Sequence, residues 1–131
     1  MKLKTFNTTN VQSFGRAQAA FISISSTTGL FTLNKASAEL IGAKDGTMIQ
    51  FHQSEDEPTD WYIEVVKEDG FQIRTSSKIG QGFLFNSSKL AHIIFDSVAY
   101  TGKGGRVYVG ESIKPGKQTL FTLITARLIN Q

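Results

Sequence analysis

The chain is predicted to be an α+β protein, mostly antiparallel β, with two pseudo-repeated strand–strand–helix–strand–strand halves packed as one domain. Three observations predict this. Short segments alternate apolar and polar residues with the period of a half-buried strand, as in AFISIS at 20–25 and WYIEVVK at 61–67. Two brief helical patterns interrupt them. The chain also reads alike twice: GLFTLNKASAELIG at 29–42 and GFLFNSSKLAHII at 82–94 are each a glycine, a short apolar strand, an asparagine placed to start a helix, and about two helical turns.

The elements follow in order. Residues 1–19 are polar and aperiodic and read as an arm or irregular lead-in. After the strand at 20–25, Ser26-Thr27-Thr28-Gly29 turns the chain into a second strand at 30–33. Asn34 is placed to cap a helix whose Ala36, Leu40 and Ile41 share an inward face, and Gly42 is placed to end it. Lys44-Asp45-Gly46 makes a tight turn before a strand at 47–52. An acidic connection, HQSEDEPTD at 52–60, precedes the strand at 61–67. Glu68-Asp69-Gly70 then predicts a hairpin into 71–75, because Asp-Gly between β-formers suits a two-residue turn. A polar loop (76–81), a short strand (82–85) and a helix at 86–95 follow, the helix beginning at Asn86 with Leu90, Ile93 and Ile94 apolar. Thr101-Gly102-Lys103-Gly104-Gly105 breaks the chain before a strand at 106–111, and Pro115-Gly116 turns it into a terminal strand at 119–128. No linker separates the halves, so 20–131 is expected to be a single domain.

A chain of 131 residues with 40% hydrophobic and 11% aromatic content can bury a core without disulfides or metal. The lack of cysteine excludes a disulfide framework, a thiolate zinc site and a cysteine nucleophile. No signal-like or membrane-spanning apolar stretch is present, so a cytoplasmic protein is expected. The net charge of +3 conceals a polarity. Residues 1–19 hold three cations and no carboxylate, 20–69 hold three lysines against nine carboxylates, and 70–131 hold eight cations against two carboxylates. The first pseudo-repeat (20–67) is therefore acidic and the second (70–128) basic. Such asymmetry suits one surface to an anionic partner, or pairs opposite charges across a subunit contact.

One stretch carries a family likeness. LNKASAELIGAKDGTMIQF at 33–51 resembles the swapped-hairpin DNA-binding proteins of the AbrB and MazE type: a strand, a short helix ending in Leu-Gly, a small or apolar residue, two polar residues, a glycine and a strand. Ile41-Gly42-Ala43-Lys44-Asp45-Gly46 fills this pattern without gaps, and Met48-Ile49-Gln50-Phe51 supplies the strand. The family builds its domain from two short chains, so the resemblance implies that the second half stands in for a partner. It also implies DNA binding. Two positions depart from the family: Asn34 stands where its helix begins with Pro, and Ala38 where a mid-helix Arg is usual. The second half lacks the glycine-spaced turn, having Ile94-Phe95-Asp96 instead.

The candidate nucleic-acid-binding residues are Arg74, Lys78, Lys103, Arg106, Lys114 and Lys117, at expected strand ends or in loops. Gly102-Lys103-Gly104-Gly105-Arg106 reads as a flexible turn whose amides and cations approach phosphates. Tyr100, Tyr108, Phe71 and Phe83 would stack bases if exposed, but strand alternation favours an inward position for them. A P-loop is excluded, since 110–118 places five residues between its glycines and Gln118 where a hydroxyl is required. His52 and His92, the only histidines, lie in no catalytic motif. Glu55, Asp56, Glu57 and Asp60 lack calcium-loop spacing and read as an exposed acidic loop.

The expectation is thus a non-enzymatic, oligomeric protein that contacts DNA or RNA phosphates through its basic half, without cofactor, metal, membrane or small-molecule substrate. The alternative is a structural or assembly protein, for example of a virus or mobile element, built by acidic-to-basic subunit contacts.

Overall fold

The computed structural model describes residues 19–78 and 82–129. The expected arm at 1–19, apart from Ala19, and the last part of the expected loop at 76–81 lie outside the described residues. Strands β1 (Phe21–Ser25) and β2 (Leu30–Leu33) lead into helix α1 (Lys35–Ile41), followed by β3 (Met48–Gln53), β4 (Trp61–Val66), β5 (Phe71–Gln72) and β6 (Arg74–Thr75). Then come β7 (Phe83–Asn86), helix α2 (Ser88–Ser97), β8 (Gly104–Ile113) and β9 (Leu120–Ile129). The fold is mostly antiparallel β: every strand pair is antiparallel, in the order β5-β3-β4-β9-β8-β1-β2-β7-β6.

The two ends of that order are consecutive in the chain. Residues 71–75 are one extended segment interrupted at Ile73, whose first part pairs with β3 and whose second part pairs with β7. At the interruption the backbone stays bonded, Ile73 N to Thr47 O at 2.9 Å and Gly46 N to Ile73 O at 2.9 Å. The sheet therefore nearly closes into a barrel, which leaves few free strand edges. Inside it lies one core, with Ile22, Ile24, Phe31, Leu33, Ile49, Ile63 and Val107 at 0–1% exposure. Four rings gather where the barrel closes. Phe31 stacks on Phe85 at 4.6 Å, Phe85 on Phe71 at 5.0 Å, and Phe51 meets Phe31 edge-on at 5.7 Å.

Local signals set α1. Asn34 Oδ1 accepts from Ser37 N at 2.9 Å and from Phe21 N at 3.1 Å, while its Nδ2 donates to Ala19 O at 2.7 Å. One side chain thus caps the helix and ties it to β1. Gly42 ends it at φ 79°, a left-handed conformation favourable only for glycine. The inward face is Ser37, Ala38 and Ile41, not the expected Ala36, Leu40 and Ile41; Leu40 is 46% exposed. The second helix starts at Ser88, two residues beyond the expected Asn86. Asn86 is opposite Leu30 in the sheet, so the cap passes to Ser87, whose Oγ accepts from Leu90 N at 3.2 Å.

Two further expectations fail for reasons of pairing. The Asp69-Gly70 turn does not make a hairpin. β3 pairs with β4 along its whole length and β9 takes the other edge over Trp61–Ile63, and after the turn the chain crosses to the far edge of β3. Gly70 permits this: a Cβ there would sit 2.8 Å from Ile49 O. Likewise Gly104 and Gly105 are not a loop before the strand but its first residues, opposite Ser25 and Ile24, and Gly105 is buried.

The first half runs β1-β2-α1-β3-β4 and the second β5-β6-β7-α2-β8-β9, the same order only if β5 and β6 count as one strand. Aligned on Gly29 and Gly82, however, Phe31 falls on Leu84, and these point to opposite faces. The sheet instead sets Phe31 opposite Phe85 and Thr32 opposite Leu84. A one-residue slip in a strand reverses every side chain.

The closing segment is also held from below. Asp45 Oδ1 accepts from Thr75 N at 2.7 Å and Thr75 Oγ1 at 2.9 Å, and the Thr75 amide above all holds the Asp45 carboxyl below its ordinary value of 3.8. A depressed folded value means that this stabilisation is complete above the unfolded pKa and is lost as pH falls through the folded one. Asp45→Ala should therefore melt below the parent at neutral pH, the gap narrowing as pH drops below about 4. Thermal melts at several pH values check this.

Candidate nucleic-acid interface

On β1, Ile22 and Ile24 face the core, so Phe21, Ser23 and Ser25 face outward. On β8, Val107 and Val109 face inward, so Arg106 and Tyr108 face outward. The register links these positions across five strands. Arg106 is opposite Ser23, Ser23 opposite Thr32, Thr32 opposite Leu84, and Leu84 opposite Arg74. One outward row thus runs from arginine to arginine over two hydroxyls and a leucine. Four strand steps at about 4.8 Å make it roughly 19 Å long, measured along the sheet.

The row is built from small and planar groups. Arg106 Cζ lies 4.3 Å from the centroid of the Phe21 ring, a cation–π contact that holds the guanidinium against the sheet. Phe21 in turn meets Tyr108 edge-on, with centroids 6.1 Å apart and planes at 66°. At the other end Arg74 Nη2 donates to Asn86 Oδ1 at 2.8 Å, which orients its guanidinium outward along β7. Across β1, β2, β6, β7 and residues 104–108 of β8 there is no Asp or Glu. The outward side of β3 and β4 differs: His52 Nε2 and Glu64 Oε1 lie 2.8 Å apart there, and Gln118 Nε2 donates to the same oxygen at 3.4 Å.

The six sequence-predicted cations fall into three groups. Arg106 and Arg74 bound the row, and Lys103 stands at its end, exposed, its carbonyl accepting from Ser26 N at 2.9 Å and Ser26 Oγ at 3.1 Å. Lys78 is exposed in the segment after β6, where it lines a small cavity with Lys35, Thr75, Ser76 and Ser77. Lys114 and Lys117 are exposed in the β8–β9 connection. The length of β8, about 30 Å, separates them from Lys103. They do not join the row.

Three of the four candidate aromatics are otherwise engaged. Phe71 belongs to the core ring cluster and Phe83 packs against the core. Tyr100 meets Phe95 edge-on at 4.8 Å and donates its hydroxyl to Gly104 O. Tyr108 is the correction: it was expected inward, but it sits between two inward valines and so points out. Phe21 and Lys35 were missed. The alternation that buries Ile22 and Ile24 already assigns Phe21 to the outer face. No local signal joins Lys35 to Lys78, because their proximity comes from tertiary pairing.

The glycine-rich stretch offers no free amide cradle over Gly104 and Gly105, since these residues lie in the β1–β8 ladder. The acidic residues Glu55, Asp56, Glu57 and Asp60 are all exposed in the β3–β4 connection. Among the described residues no group of three or more His, Asp and Glu is gathered to hold a metal, and no helix is long and apolar enough to cross a membrane. No family model, curated protein or solved structure matches the chain.

Proposed function

We propose that the protein is a non-enzymatic nucleic-acid-binding protein whose contact surface is the outward face of β8, β1, β2, β7 and β6. The single observation that carries this reading is the row Arg106–Ser23–Thr32–Leu84–Arg74, which crosses β1, β2, β6, β7 and residues 104–108 of β8 without a carboxylate. Two guanidiniums about 19 Å apart around the wall suit phosphates several nucleotides apart on one chain that follows its curve, and the hydroxyls between them add neutral donors. Lys103 extends the positive surface at one end, and Lys78 with Lys35 at the other. The likeness of 33–51 to swapped-hairpin DNA-binding proteins agrees with this reading. We also read the two halves as divergent copies whose strands β2 and β7 meet at Phe31 and Phe85, the first having become acidic and the second basic.

Binding to phosphates releases counterions, so log affinity should fall linearly with log salt. For three to four contacts on a single strand the slope is about −2 to −3. Fluorescence anisotropy with a mixed-sequence oligonucleotide at several salt concentrations tests this. Absence of binding at low salt, or binding that ignores salt, contradicts it. In the assembly reading, the exposed acidic β3–β4 connection of one subunit would meet the basic face of the next. That reading predicts a mass that falls at high salt with no oligonucleotide affinity.

A further inference from the structure

We infer that the partner is single-stranded, with a base stacked on the outward ring of Tyr108 beside the Arg106 guanidinium. This rests on the proposed function above and names the form of nucleic acid that the same face takes.

The first argument is the kind of surface. Reading a duplex requires an element that projects into a groove about 12 Å wide, usually a helix or a two-stranded ribbon. Here the cations lie on the broad side of a barrel wall. Lys114 and Lys117 lie on a β-hairpin connection, and they are the cations that do not join the row. A convex barrel wall presents no such element, whereas an unpaired strand can follow its curve and lay both phosphates and bases on it.

The second argument is the planar groups. Phe21 and Tyr108 occupy outward positions on adjacent strands, opposite each other in register. Neither is needed to fill the core, which lies on the other face. Phe21 carries Arg106 on its ring, so its role is to hold the guanidinium flat against the sheet. That leaves two planes for a base, the Tyr108 ring and the outer side of the guanidinium. Bases stack on both kinds of plane, and only an unpaired base can reach them. Tyr108 is flanked in the sheet by Phe21 on β1 and by the exposed Ile124 on β9, while Ser23 is opposite Arg106, so the guanidinium has a small neighbour and the tyrosine an apolar surround.

The third argument is the charge. The arginine row supplies cations along one side of the aromatic pair, the combination of backbone contact and stacking platform that single-strand binding uses. Stacking on a ring discriminates little between bases, because every base has a π-face. The site should therefore tolerate many sequences.

The experiment compares a mixed-sequence single strand, its duplex and inorganic polyphosphate, at one salt concentration, with the full chain and its Tyr108→Ala and Tyr108→Phe variants. The single strand should bind at least about 10-fold tighter than the duplex or polyphosphate. Tyr108→Ala should weaken the single strand about 10-fold and leave the other two unchanged, while Tyr108→Phe keeps the parent affinity. Thermal melts establish that each variant is folded. DNA and RNA single strands run in parallel identify the preferred sugar, and either satisfies the inference. Equal affinity for duplex, or full single-strand affinity in folded Tyr108→Ala, overturns the inference while leaving phosphate binding in place. No binding to any of the three polymers overturns both.

Discussion

Phe31→Ala should destabilise the protein by about 3–5 kcal/mol and lower its melting temperature by roughly 10–20 °C. Phe31 is fully buried, and its ring touches partners from two other strands, Phe85 on β7 and Phe51 on β3. Those strands flank the place where residues 71–75 close the barrel, first on β3 and then on β7. The two-residue ladders there are short, so the ring cluster carries much of the closure. Removing this ring opens a cavity that the stacked Phe85 and Phe71 cannot fill without shifting their strands. A domain of this size is stable by about 5–15 kcal/mol, so the variant should sit near the limit of folding. Ile93→Ala supplies the contrast. Ile93 is 42% exposed on α2, and its loss should cost under about 1 kcal/mol. Thermal and urea denaturation of the two variants side by side test whether the closing segment depends on the ring cluster.

The paired substitution Arg74→Gln and Arg106→Gln should leave the melting temperature within a few degrees of the parent and weaken oligonucleotide binding about 100-fold at low salt. Each arginine is given one charge-assisted contact, worth about 1.5 kcal/mol, and two together make that loss. The salt slope should also become shallower by about 1.4, since each single-strand phosphate contributes about 0.7. Lys114→Gln with Lys117→Gln removes the same charge from the exposed β8–β9 connection. It should change affinity by less than about threefold, because those lysines lie beyond the far end of β8, about 20 Å from Arg106. Net charge is identical in the two pairs. A difference between them therefore reports position, and anisotropy titrations measure it.

What could be read from the sequence was what is encoded locally. Asn34, Gly42 and the Lys44-Asp45-Gly46 turn each act on neighbours within a few residues, and each performs the expected role: Asn34 caps, Gly42 takes the left-handed conformation, and Thr47 N bonds Lys44 O at 3.0 Å across the turn. What could not be read depends on which edges are already occupied. Asp69-Gly70 satisfies a hairpin rule, yet the residues after it pair with β3 rather than with β4. Gly104 and Gly105 look like a loop, yet β1 draws them into the sheet. Asn86 looks like a cap, yet its pairing with β2 passes that role to Ser87.

The candidate site divides in the same way. The six cations were visible one by one, because a charge in a polar segment is a local fact. Their grouping was not, since Arg74 and Arg106 share a row only through β1, β2 and β7 lying between them. Tyr108 was misread for a local reason. Alternation along Val107, Tyr108 and Val109 is clear once the valines are known to face the core, but Tyr between two β-branched residues fits either face of a strand. Phe21 follows from the same alternation in FISIS, which buries Ile22 and Ile24 and so turns Phe21 outward.

Amide chemical-shift mapping tests the central claim most directly. Titrating the isotope-labelled protein with a short single-stranded oligonucleotide at low salt should move the resonances of Phe21, Ser23, Thr32, Leu84, Arg74, Arg106 and Tyr108 together. Shifts confined to the β8–β9 connection or to the β3–β4 face, or no shifts at all, would contradict a binding face on the wall formed by β8, β1, β2, β7 and β6.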